Sequence, residues 1–174
     1  GDPSRNNNAR MSYASEKDAS EFLLRGYAIC MLILYLLYFV TQMTAVDAKA
    51  HPPEDAKLMA KKLEELATLD EAGQELAQRR NRLFVNNQEN IPIDIAVMSG
   101  SVLVAMMAPA DEDGKNFITS LIILYTIFRF LFCVSYQFKL NSPVPLRTIS
   151  FLLTKIVMLV MVTASISNSL VDED

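Results

Sequence analysis

Tryptophan is absent from this chain and histidine occurs once. That histidine, His51, precedes Pro52 and Pro53 in a polar stretch, with no cysteine or carboxylate cluster at ligand spacing around it. No metal site is expected from so few ligands, and no nucleophile triad is visible. Cysteine is nearly as scarce. Cys30 and Cys133 each lie inside an apolar run, which excludes a disulfide framework and reads as two buried thiols. Only five glycines occur, and none opens a phosphate-cradling loop. Positive charge is not in excess either: 16 Lys and Arg face 20 Asp and Glu, a net charge of −4. Nucleic acid is therefore not an expected partner. The sequence opens at Gly1 without a charged-then-apolar leader, which leaves open a trimmed chain or a removed targeting segment, the latter pointing to an organelle.

What the chain has in abundance is long apolar sequence. Leu, Ile, Val, Met and Phe dominate everywhere except residues 1–21 and the region from about 47 to 90. Four segments reach bilayer-crossing length, at about 24–46, 86–109, 117–138 and 146–170. Soluble bundle helices would carry a polar face, and these mostly do not. The expected architecture is an all-α integral membrane four-helix bundle over residues 22–171, behind a polar N-terminal extension, residues 1–21. Between the first two spans, "EDAKLMAKKLEELATLDEAGQELAQRR" places Leu58, Leu63, Leu66 and Leu69 near helical spacing with charges between them. It reads as an amphipathic helical connector. Lys and Arg are richer in the loops 47–85 and 139–147, so those loops are expected on the cytosol, matrix or stroma side.

Three ionisable residues fall inside spans: Asp94, Arg129 and Lys155. Such a group costs several kcal/mol at bilayer depth unless paired, hydrated or snorkelling. Lys155 is near enough to its helix end to snorkel, and a pair from Asp94 to Arg129 or Lys155 is an alternative. Arg82, Asn86, Glu89 and Asp94 recur at intervals of three to five, as one side of a helix would require. This predicts a polar stripe descending into the bilayer, which lipid cannot satisfy.

At these residues the sequence resembles the membrane-associated proteins in eicosanoid and glutathione metabolism, the MAPEG family. The second helix of that family opens with an Arg, an Asn four residues on and a Glu three further, often followed by Asn-Ile-Pro. Here those are Arg82, Asn86, Glu89, Asn90, Ile91 and Pro92. Its third helix carries an Arg with a Tyr seven residues later, then a Pro-x-Pro-x-Arg turn, matched by Arg129, Tyr136 and "PVPLR" ending at Arg147. The resemblance covers about residues 20–170 and implies a left-handed membrane bundle, usually a homotrimer, with glutathione bound between subunits. By resemblance Arg82, Asn86, Glu89, Arg129 and Tyr136 would hold the tripeptide, and Arg147 would stabilise the thiolate. The chemistry is coherent. Two carboxylates suit arginine forks, an ammonium suits Glu89, and a cation lowers a thiol pKa.

The sequence also departs from the family pattern. Asn81 stands where the microsomal glutathione transferases have a second arginine, and Phe84 stands where they have His or other branches Gln. The segment from Tyr136 to Arg147 is two residues longer than in those transferases, and Asp94 replaces an apolar residue. Two readings follow. One is an accessory subunit of a larger organellar membrane complex with a partly eroded glutathione site. The other is a glutathione transferase or peroxidase acting on lipophilic electrophiles or lipid hydroperoxides. The departures tilt the sequence reading towards the accessory subunit; the expected partners are the lipid bilayer and either other membrane subunits or copies of itself in a homotrimer.

Overall fold

A computed structural model describes residues 3–45, 64, 67–107, 112–138 and 145–170. The described residues form four long helices: α1 (Pro3–Thr44), α2 (Glu71–Met107), α3 (Glu112–Gln137) and α4 (Leu146–Leu170). Each of the four helices carries the described part of one expected apolar segment, and each is long and apolar enough to cross a membrane. Two helices begin well before their apolar segments. The backbone of α1 runs unbroken from Pro3, so the polar N-terminal extension continues the first span as helix. At about 1.5 Å per residue, 42 residues reach roughly 63 Å, twice a hydrocarbon core of about 30 Å. The connector, likewise, is helical from Glu71 and passes directly into the second span. Leu58, Leu63 and Leu66 lie outside the described residues.

Local chemistry explains the helix ends. Asp70 caps α2, its Oδ1 accepting the Gly73 N–H at 2.9 Å. Glu112 and Asp113 sit in the first turn of α3, where the helix dipole favours carboxylates. Pro92 lies within α2, where it leaves the Gln88 carbonyl without its usual donor.

Cross-helix contacts fix an up-and-down topology. Tyr27 meets Ser99 and Thr41 meets Asn87, so α1 and α2 are antiparallel. Asp94 meets Tyr125 from α3 and Lys155 from α4. Ring contacts of Phe132 with Phe151 pair α3 with α4. Among the described residues, helices α1 and α4 make no close backbone approach to each other, and each packs on both α2 and α3.

The apolar core comes in two pieces. The larger gathers Leu23, Leu34, Met98, Ile118, Ile122 and Met161, all fully buried. The smaller consists of Leu83, Phe132 and Cys133 at the end where α1 and α3 finish. Buried polar residues Asn87, Arg129 and Asp94 lie among these apolar groups. Large apolar side chains on every helix also point outward, among them Ile29, Leu36, Leu103, Ile127, Phe130 and Leu159. Water would penalise such a surface and a bilayer accepts it.

Candidate functional site

Helix α2 carries two polar faces, not one. Arg82, Asn86 and Glu89 are spaced i, i+4, i+7 and line one open depression of about 390 Å³ together with Asn81 and Val85. Leu83, Asn87, Ile91, Asp94 and Met98 are buried on the inner face. Asp94 lies 12 residues beyond Arg82, about 120° around the helix at 100° per residue. The stripe expected from sequence therefore splits. Its first three members face outward and Asp94 turns into the bundle, 3% exposed.

Asp94 is satisfied there. Tyr125 donates its hydroxyl to Oδ2 at 2.5 Å, and Lys155 donates its ammonium to Oδ1 at 3.1 Å. Of the two pairings the sequence allowed, Lys155 is realised and Arg129 is not. Lys155 does not snorkel. Its ammonium is held by Asp94 and lies 5.6 Å from the Phe151 ring centre.

Arg129 is fully buried behind Asn86. Its Nη2 donates to Asn87 Oδ1 at 2.6 Å, Asn86 Oδ1 at 3.0 Å and the Asn86 carbonyl at 3.2 Å. Its Nε and Nη1 are buried without an acceptor. Unfilled donors on a buried guanidinium are costly, and they are what an anion-binding residue presents before its anion arrives. Arg79 Nε, Arg80 Nε and Asn81 Oδ1, just before Arg82, are likewise buried and unfilled.

Tyr136 and Arg147 join this group through aromatic rings. The Arg129 guanidinium lies 5.1 Å from the Phe132 ring centre, and Phe132 meets Tyr136 at 5.6 Å. The Arg147 guanidinium lies 5.0 Å from the Tyr136 ring. The result is a chain of two rings between two cations, linking α3 to α4. All six sequence-derived residues thus belong to one contiguous region. Arg82, Asn86 and Glu89 form its open side, with Arg129, Tyr136 and Arg147 behind and beside them. Phe84 takes no part. It is 7% exposed and packs against Tyr38, with ring centres 6.3 Å apart.

Three contributors escaped the sequence reading: Asn87, Tyr125 and Phe132. Asn87 had a legible signal, a polar residue seven positions before Asp94 on an otherwise apolar face. Tyr125 and Phe132 read as ordinary members of an apolar span, and only packing gives them their roles. A separate apolar groove of about 250 Å³ lies between α1 and α3, lined by Leu37, Val40, Thr41, Phe130 and Cys133 among others. Among the described residues no cluster of three or more metal-ligating side chains occurs.

Fold and site together define an integral membrane four-helix bundle with a buried cation and a polar face on its second helix. The profile of the MAPEG family matches residues 26–167, and the chain belongs to that family. No curated protein and no solved structure matched it.

Proposed function

We propose that the chain binds glutathione on the Arg82–Asn86–Glu89 face and uses it to conjugate lipophilic electrophiles or reduce lipid hydroperoxides. The observation that carries this reading is Arg129, wholly buried directly behind Asn86 with two donors unfilled. Arg82 and Glu89, seven residues apart, are about 10 Å apart along the helix axis. An extended tripeptide has a similar reach of about 10 Å. Bound there, glutathione supplies a thiol nucleophile. Arg82 and Arg129 bind its carboxylates, Glu89 its ammonium and Asn86 its amides. Tyr136 and Arg147 flank the sulfur, and the Arg147 cation favours the thiolate. Asp94, one of the departures that counted against an anionic ligand, is paired with Lys155 and turned away from this face.

The depression is open, and on this reading a second chain supplies its other wall. In a homotrimer that wall is a second copy and the site is complete. The accessory-subunit reading keeps support from Asn81, which lacks the arginine charge the transferases have there, and from Phe84, which lacks a hydrogen-bonding group. Placed singly among unlike membrane proteins, the polar face would serve assembly. On either reading the positive bias puts loops 47–85 and 139–147 on the cytosol, matrix or stroma side of an organellar membrane. A cysteine introduced at Gln78 is then labelled from that side alone.

Calorimetry of glutathione against the detergent-solubilised protein, with oligomeric mass recorded on the same sample, tests the proposal. A homotrimer binding at micromolar to low-millimolar Kd, with binding lost in Arg82→Ala and Arg129→Ala, is expected. No binding by a protein extracted only with unlike chains would replace the transferase reading with the accessory one.

A further inference from the structure

Arg129 is a buried cation with no counter-ion among the described residues. The acceptors on its Nη2 are two side-chain amides and one backbone carbonyl, all neutral. Asp94 is the one buried carboxylate among the described residues, and it is paired with Lys155 and Tyr125. No described carboxylate forms an ion pair with Arg129. A charge left unbalanced at this depth is expensive, and a ligand anion would relieve it.

We infer that Asn87 is the residue that positions Arg129 without neutralising it, keeping its charge available to a ligand carboxylate. Asn87 is fully buried, and its side chain bonds to neighbours on two other helices, α1 and α3. Its Oδ1 takes the shortest of the Arg129 bonds, 2.6 Å. Its Nδ2 donates to Thr41 Oγ1 of α1 at 3.2 Å and to Cys133 Sγ of α3 at 3.5 Å. The side chain is therefore fixed at both ends, and it fixes one edge of the guanidinium. The other two nitrogens, Nε and Nη1, stay unfilled among the described residues. An amide suits this task in a way a carboxylate does not. Aspartate has the same shape, but it would supply the missing charge from within the protein and compete with the ligand.

The identity of the anion rests on the glutathione reading; the charge imbalance does not. The experiment separates them with Asn87→Asp and Asn87→Ala, compared with the wild-type oligomer in detergent. The first readout is thermal unfolding without ligand. Asn87→Asp is expected to melt at or above the wild-type temperature, because it pairs with Arg129, and Asn87→Ala is expected to melt below it. The second readout is calorimetric affinity for glutathione and S-hexylglutathione. Asn87→Asp is expected to lose tenfold or more while remaining folded. A purely structural Asn87 would not separate these readouts, since the better-folded variant would bind at least as well.

Asn87→Asp melting well below wild type would overturn the inference, because Arg129 would then already be balanced. So would an Asn87→Asp protein that binds glutathione as tightly as wild type. If wild type binds no glutathione but Asn87→Asp still raises the melting temperature, the charge argument stands and the glutathione reading falls.

Discussion

Replacing Lys155 by methionine removes the counter-ion of a buried carboxylate and little else, since the two side chains have similar length. Asp94 is 3% exposed and keeps only the Tyr125 hydroxyl. Breaking a fully buried ion pair costs about 3–5 kcal/mol. The Lys155 side chain is 37% exposed, which lowers that figure. Polar pairs measured inside bilayers reach only about 0.6–1.7 kcal/mol. A loss of about 2 kcal/mol lies between these bounds. For a chain of this size, that corresponds to a fall in Tm of roughly 4–8 °C. The informative comparison is the double variant Asp94→Asn with Lys155→Met. Asparagine removes the orphaned charge and still accepts the Tyr125 bond, so the double variant should recover to within about 1 kcal/mol of wild type. Unfolding followed by circular dichroism in detergent reads all three proteins. A neutral Lys155→Met, or a double variant no better than the single, would refute the reasoning.

Three further perturbations follow from the same geometry. A Cβ on Gly26 would meet Thr119 Cγ2 at 2.9 Å, so Gly26→Ala should lose stability by about 1 kcal/mol from overpacking. Combined with Thr119→Ser, which keeps the hydroxyl bond to the Lys115 carbonyl, the sign should reverse by a few tenths of a kcal/mol, because Ala is the better helix former. Denaturant titration of both proteins checks the reversal. Tyr27→Phe removes the 2.6 Å contact with Ser99 between α1 and α2 and should cost about 1 kcal/mol in the same assay. Arg147→Gln should lower turnover in a glutathione conjugation assay by about 10²-fold or more while changing glutathione affinity less than threefold. Arg147→Lys should recover part of the rate, because the cation is retained.

Much of the fold was legible because the bilayer imposes its demand one segment at a time. A span must be about 20 apolar residues whatever it packs against, so the four spans stand out in the sequence. The helix starts were less legible. Nothing in residues 3–21 or 71–85 is apolar enough to mark a span, yet α1 and α2 continue through them, because helix can extend into water without any apolar signal. The site was legible where spacing decides it. Arg82, Asn86 and Glu89 share a face because i, i+4 and i+7 must. Asp94 seemed to extend that face, but the single five-residue step from Glu89 turns about 140° around the helix and carries it to the inner side.

By itself, then, the sequence determined a membrane bundle of four helices and its family. Only the tertiary structure decided which charges are spent within the bundle and which remain free. Lys155 neutralises Asp94 because α2 and α4 bring them to 3.1 Å. Arg129 meets only neutral oxygens because α2 presents Asn86 and Asn87 to it. Electrostatic balance depends on distances of a few ångströms between different helices, and one-dimensional spacing along a chain does not contain them.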